Sequence, residues 1–191
     1  MVLGITGGLG CGKSTAASFF AERGFRRLDS DAIVREQVLP SAKVREAVRT
    51  RFGEEALHPS GEINRAALGA LVFADEAHRL WLEDLTHPGV FDVWRRTMGA
   101  DPRASWVVEV PLLFEKSLEN WFDFTLCVAC DPSLQLVRLE QRGLNRALAG
   151  QRISTQLPLA RKVELSDFVL WNEGSLPFLK SEVDRIVDSP M

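Results

Sequence analysis

Eight residues near the start of the chain, Gly7-Gly8-Leu9-Gly10-Cys11-Gly12-Lys13-Ser14, satisfy the pattern G-x-x-x-x-G-K-[ST] at every fixed position. They lie between an apolar run at 2–6 and a segment at 14–22 whose Ala16, Ala17, Phe19 and Phe20 suit a packed helix. Strand, glycine loop and helix in that order make a phosphate cradle. Glycines let backbone N–H groups converge on phosphate oxygens, and the following helix adds its positive end. The expected nucleotide site is Gly8, Leu9, Gly10, Cys11, Gly12, Lys13, Ser14 and Thr15. Lys13 is expected at the β- and γ-phosphates of ATP, and the Ser14 hydroxyl at Mg²⁺. A G-x-G-x-x-G cannot be laid on these glycines, which disfavours a dinucleotide site.

Phe25 to Leu28 and the short apolar runs at 106–110, 124–129 and 168–171 read as further strands. They alternate with helical stretches at 32–38, 132–142, 159–165 and 176–187, Asp131-Pro132 supplying a cap and a first-turn proline for the second of these. Near-continuously apolar strands alternating with helices predict an α/β fold, a five-stranded parallel sheet with helices on both faces. Ligands then gather at the carboxyl ends of the strands. Two stretches depart from the alternation. Residues 41–98 read as helices alone, at 41–52, 64–72 and 75–98, the last interrupted near His87-Pro88-Gly89. Residues 143–156 are polar and bear arginines at 146 and 152.

The expected organisation is one domain, 1–191. Its nucleotide core is about 1–31, 104–136 and 166–191, its helical substrate-binding region about 32–103, and its lid about 137–165. Twenty-three basic and 26 acidic residues, in no long block of one sign, argue against a nucleic-acid partner. The start lacks a cationic leader and no segment approaches the ~18 apolar residues of a membrane span, so a cytoplasmic protein that does not engage membranes is expected. Three cysteines, Cys11, Cys127 and Cys130, make no disulfide framework, and Cys127-Val128-Ala129-Cys130 lacks the second pair that a zinc site needs. The five tryptophans are spread along the chain and read as core residues.

A kinase for a small acceptor needs a carboxylate to orient the hydroxyl and cations to hold spreading charge. Asp29 and Asp31 follow a predicted strand, where such a carboxylate belongs, and Asp31 also suits a helix N-cap. Arg138, Arg142 and Arg146 would share one helical face if the helix from 132 continued that far. The guanine-reading N-K-x-D and the D-x-x-G of GTPase switches do not occur.

These residues resemble the dephospho-CoA kinase family over nearly the whole chain. The resemblance is carried by the loop from Thr6 to Thr15, by Asp29-Ser30-Asp31 with Arg35, and by Phe52-Gly53 with Gly61 and Arg65. Leu82-Glu83, His87-Pro88 and the string Pro111-Leu112-Leu113-Phe114-Glu115 add to it, as do Gln135, Arg138, Arg142, Arg152, Gln156, Asp167, Asn172 and Gly174. Cys11 stands where a serine is common, and Glu109 where aspartate is frequent. The resemblance implies a P-loop kinase fold and transfer of phosphoryl from ATP, with Mg²⁺, to the ribose 3′-hydroxyl of dephospho-coenzyme A.

By the same resemblance Asp31, Lys13 and Arg142 are the expected catalytic residues. Arg35, Arg65, His87, Pro111 and Leu112 join Asp31 at the acceptor, and Asn172 and Gly174 lie beside adenine. Glu109 is a candidate for supporting the metal through water, Glu115 for anchoring the next helix, and His87-Pro88 for a break that shapes the acceptor wall. A monomer or weak homo-oligomer is expected.

Overall fold

The structure, a computed structural model, describes residues 1–189. In chain order its main elements are β1 (Val2–Gly7), α1 (Lys13–Glu22), β2 (Arg26–Asp29), α2 (Ser30–Ile33), a π-helical turn (Val34–Val38), α3 (Ala42–Phe52), α4 (Arg65–Ala74) and α5 (Glu76–Ala100). They continue as β3 (Trp106–Glu109), β4 (Phe124–Ala129), α6 (Pro132–Gln141), α7 (Arg146–Ser154), α8 (Leu159–Leu165), β5 (Phe168–Trp171) and α9 (Leu176–Asp188). The chain divides into two compact units, Met1–Asp29 with Arg103–Met191, and Ser30–Pro102.

The first unit is built on one sheet of order β2-β3-β1-β4-β5, all of its pairings parallel. Leu3 and Ile5 of β1 share a face with Val107, Leu126 and Val128, and that face is covered by Ala16, Ala17 and Phe20 of α1 and by Leu179 and Val183 of α9. Phe20 is fully buried and meets the Phe25 ring edge-on, 5.3 Å between centroids. Burying such a ring contributes roughly 1.5–3 kcal/mol. The other face carries α8 over β1 and β4. With both faces covered, the central strands have no position for an exposed polar residue, which is why their sequence does not alternate. Parallel pairing puts the ends of β1, β3, β4 and β5, and the residues that follow them, at one edge of the sheet.

A helix from 132 carrying all three of Arg138, Arg142 and Arg146 does not form. Helix α6 stops at Gln141, Gly143 takes a left-handed φ of 86°, and Asn145 caps a separate α7 by accepting from Leu148 N–H at 2.8 Å. Trp94 and Trp106 are core residues, 1% and 4% exposed, but Trp171 is 52% exposed and does not belong to the core.

The second unit is helical. Ser41, Asn64 and Asp75 cap α3, α4 and α5 with their side chains. The expected break at His87-Pro88-Gly89 is absent, and α5 runs unbroken through Pro88 for 25 residues. The Thr86 hydroxyl donates to the carbonyls of Leu82 and Glu83, and Thr86, Val90, Val93 and Trp94 are buried. Gly89 lies so close to Val38 that an added Cβ would come within 3.0 Å of it. Packing on both sides of Pro88 outweighs the one backbone hydrogen bond that proline removes.

Candidate active site

The glycine loop joins β1 to α1, and its backbone conformation is set by two close approaches. A Cβ on Gly7 would lie 2.1 Å from the Val128 carbonyl oxygen, and one on Gly12, at φ 98°, 2.3 Å from Asn172 Nδ2. Its carbonyls are held from outside. Lys13 Nζ donates to Gly7 O and Gly8 O at 3.0 Å each, Gln135 Nε2 to Leu9 O at 2.9 Å, and Asn172 Nδ2 to Cys11 O at 2.8 Å. With four carbonyls so engaged, the loop presents amide N–H groups to a ligand, and α1 adds its positive end. Gly8 through Thr15 therefore fit polyphosphate on geometry as well as on pattern.

Ser14 opens α1 with an exposed side chain, and its hydroxyl donates to Glu109 Oε2 at 2.7 Å. Glu109 is 4% exposed at the end of β3, on the face that α1 covers. Its other oxygen pairs with the Arg27 guanidinium at 2.6 Å. A hydroxyl and a carboxylate are hard oxygen donors of the kind Mg²⁺ takes alongside phosphate oxygens. Arg27 neutralises Glu109 and fixes its orientation, so that the carboxylate positions Ser14.

Farther along the same edge, a cavity of about 220 Å³ is lined by Gly12, Thr15, Arg138, Arg142, Asn172 and Gly174, among others. Ligand pockets usually measure ~300–1,000 Å³, so this one suits an end of a nucleotide. Arg138 Nη2 donates to Asn172 O at 3.0 Å. Arg142 is exposed at the C-terminal end of α6, where its side chain is unhindered by the sheet. Arg152 lies on α7, partly buried.

On the opposite face of the sheet, Pro111 O accepts from Lys162 Nζ at 2.6 Å and from Thr6 Oγ1 at 3.3 Å. Lys162 is fully buried and pairs with Glu115 at 2.8 Å, and Glu115 Oε1 also accepts from Leu157 N–H at 2.9 Å. The segment of Pro111, Leu112 and Glu115 is thereby tied both to β1 and to the entry of α8. Glu115 anchors α8, through Lys162 and Leu157, and not the helix that follows it in the chain.

The remaining expected residues belong to the second unit. Asp31 is exposed in the first turn of α2, which starts at Ser30, so it is not the cap. Arg35, in the π-helical turn, pairs with Glu36 at 2.8 Å. Arg35 and Arg65 are brought together, with Arg45, in a cavity of about 380 Å³. Asp31 and His87 are not among its described lining residues. His87 lies inside α5 against the Phe91 ring, 5.9 Å between centroids, and forms no break.

Four residues escaped sequence reasoning as parts of the site: Gln135, which holds Leu9, Arg27, which holds Glu109, Lys162 and Arg45. The signal for Gln135 was its spacing of three from Arg138 on a helix whose start was recognisable. Arg27 and Lys162 gave none, since a charged residue in a strand or short helix ordinarily reads as solvent-facing.

Comparisons with known proteins agree with this geometry. A family model described as dephospho-CoA kinase matches residues 1–177. A dephospho-CoA kinase of Thermosynechococcus vestitus is 39% identical over 185 residues, covering 96% of this chain and 91% of that protein. The crystal structure of TT1252 from Thermus thermophilus superposes with a TM-score of 0.84 at 31% identity, covering 98% and 96% of the two chains. A dephospho-CoA kinase structure from Campylobacter jejuni, 24% identical, matches with a TM-score of 0.70 over 97% and 94% and supports the fold. A phosphate loop held by side chains from later elements, a serine backed by a buried carboxylate, and a match of this extent lead to one conclusion: the chain belongs to the dephospho-CoA kinase family.

Proposed function

We infer that the chain transfers the γ-phosphoryl group of ATP to the ribose 3′-hydroxyl of dephospho-coenzyme A, giving ADP and coenzyme A. The observation that carries this reading is the phosphate loop, whose carbonyls are turned outward by Lys13, Gln135 and Asn172, in a chain of this family. Mg²⁺, when bound, offsets charge on the β- and γ-phosphate oxygens, and Ser14, oriented by Glu109, is the residue to hold it. The backbone of Gly8 to Thr15 binds the polyphosphate, and Asn172 and Gly174 lie beside adenine. Asp31 accepts a hydrogen bond from the 3′-hydroxyl and takes its proton as the oxygen attacks phosphorus in line. Lys13 and Arg142 stabilise the charge that spreads over the phosphoryl oxygens.

Arg35, Arg65 and His87, with Pro111 and Leu112, form the acceptor site in this reading. Residues 1–191 act as one kinase domain, with 32–103 binding the acceptor and 137–165 serving as lid. No described helix is long and apolar enough to cross a membrane. Balanced charge and three free cysteines suit a cytoplasmic monomer or weak homo-oligomer that binds neither nucleic acid nor membranes.

Release of ADP, followed through a coupled assay, tests the acceptor. With MgATP present, dephospho-coenzyme A is expected to support turnover, and adenosine, AMP and shikimate are not. Consumption of AMP with no turnover of dephospho-coenzyme A would refute the reading in favour of a nucleotide kinase.

A further inference from the structure

All three cysteines are buried, but they are not equivalent. Cys127 points to the α8 side of β4, in register with Thr6. Cys130, just beyond the end of β4, lies on the α1 side together with Cys11 of the phosphate loop. The sulfurs of Cys11 and Cys130 are 3.5 Å apart, with the Cys130 thiol donating to Cys11. The side chain of neither residue is used by the reaction as described. Cys11 Sγ lies directly beneath the loop, where a Cβ on Gly8 would meet it at 2.8 Å. One layer of loop separates the pair from solvent, for Leu9, Gly12 and Lys13 around it are partly exposed.

We propose that Cys11 and Cys130 form a peroxide-responsive dithiol site, and that their oxidation to a disulfide disables the phosphate loop. Hydrogen peroxide is the oxidant, and because Cys11 is 0% and Cys130 1% exposed it reaches Cys11 when the overlying glycine loop opens. The Cys11 thiolate attacks one peroxide oxygen, the O–O bond breaks, and a sulfenic acid forms with release of hydroxide. Cys130 then gives up its proton, its sulfur attacks the Cys11 sulfur, and the S–O bond breaks as hydroxide leaves. The two thiol protons convert the two hydroxides to water, so that two thiols and one peroxide become one disulfide and two waters.

The local electrostatics favour this order of events. The hydrogen bond from the Cys130 thiol holds the Cys11 thiol down at about 7 against the opposing effect of burial, with the charge of Lys13 adding to it. The same bond, together with burial, pushes Cys130 up, which makes Cys11 the first nucleophile. Burial pushes the Cys127 thiol up to about 12 and leaves it inert.

Closing the bond alters the loop because the other partner is the more firmly held. A disulfide needs its sulfurs ~2.05 Å apart, so the pair must approach by about 1.5 Å. Cys130 follows an interior strand paired on both sides, and the preceding Ala129 O accepts from Asn172 N–H at 2.7 Å. Cys11 belongs to a glycine loop, and its displacement strains the hydrogen bonds from its N–H to Gly8 O, 3.2 Å, and from Asn172 Nδ2 to its carbonyl. The amides that receive phosphate shift with it.

The inference rests on nucleotide binding by the loop and not on the identity of the acceptor, so MgATP affinity is the readout. The full chain, reduced and then treated with a small excess of hydrogen peroxide without nucleotide, is blocked with maleimide and mapped by mass spectrometry without reduction. MgATP binding is measured by calorimetry in parallel. A Cys11–Cys130 cross-linked peptide is expected, with MgATP affinity lowered by about tenfold or more and restored by dithiothreitol. The rate of cross-linking is expected to rise as pH passes upward through about 7, where Cys11 deprotonates. Cys130→Ala is expected to bind MgATP as the parent does before oxidation and to give no cross-linked peptide, and Cys130→Ser serves if the alanine variant does not fold. A cross-link to Cys127, loss of affinity without the Cys11–Cys130 peptide, that peptide with unchanged affinity, or the absence of any change at a dose that oxidises methionine would each overturn the proposal.

Discussion

Lys162→Met asks what a buried cation does inside α8. Lys162 is fully buried, 2.8 Å from Glu115 and 2.6 Å from Pro111 O, while the Glu115 side chain is 16% exposed. Removing one partner of a buried ion pair typically costs ~3–5 kcal/mol, because the other charge stays behind. Glu115 keeps its bond from Leu157 N–H and some contact with solvent, and Pro111 O keeps Thr6 Oγ1. The loss should therefore fall at the lower end, about 3 kcal/mol. In a chain of this size that lowers the unfolding midpoint by about 6–12 °C. Circular dichroism melts of the parent, Lys162→Met and the double variant Lys162→Met/Glu115→Leu measure it. The double variant, which leaves no charge behind, should recover at least half of the loss. A drop under about 2 °C in the single variant, equivalent to ~1 kcal/mol or less, would refute the reasoning, as would a double variant no more stable than the single.

Asp31→Asn should lower turnover roughly 10²–10⁴-fold and leave MgATP affinity almost unchanged, since the amide fits the space and cannot take the proton; steady-state kinetics with near-normal turnover would remove Asp31 from its role. Arg142→Ala should slow single-turnover phosphoryl transfer by ~10²–10³-fold with little change in acceptor affinity, and Arg142→Lys should recover part of it. A rise in acceptor KM alone would move Arg142 to the acceptor site. Asn172→Ala strips the buried Cys11 carbonyl of its donor and should weaken MgATP binding about tenfold in calorimetry, a cost of ~1.4 kcal/mol in line with an unsatisfied buried acceptor. Unchanged affinity there would mean that the loop holds its shape without Asn172.

The nucleotide half of this molecule was open to reading because its constraints are local. An apolar run, glycines that backbone geometry demands and a helix start follow one another within the residues from Val2 to Glu22. The central strands β1, β3 and β4 were legible for a related reason: burial on both faces leaves a signature of composition that needs no knowledge of partners. Where the reading failed, distant packing decided. Pro88 announces a break by its own chemistry, yet α5 continues because Thr86, Val90 and Val93 are buried around it. The end of α6 falls where the sequence puts it, at Gln141 against an expected 142, and Gly143 and Asn145, ordinary stop and cap signals, keep Arg146 off that helix. Lys162 and Arg27 were beyond reach, because a buried charge is recognised only through the partner that tertiary folding brings to it. Asp31, Arg35, Arg65 and His87 carry charge and polarity of the right kind, and the kinetics of Asp31→Asn test the first of them.

The supports of the phosphate loop have a consequence for the order in which the protein is made. The motif leaves the ribosome well before its supports, for Leu9 is held by Gln135, 126 positions later, and Cys11 by Asn172, 161 positions later. Contacts of such separation close slowly, since the entropy of a long loop is lost before they form. A nascent chain that ends at Cys130 therefore contains the complete eight-residue pattern and the four strands β1 to β4, and still lacks the side chains that turn the carbonyls of Leu9 and Cys11 away from phosphate. Nucleotide affinity should arise late in synthesis, as α6 and then β5 dock. ATP, by binding only the finished loop, favours the state in which the carboxyl-terminal third is already in place.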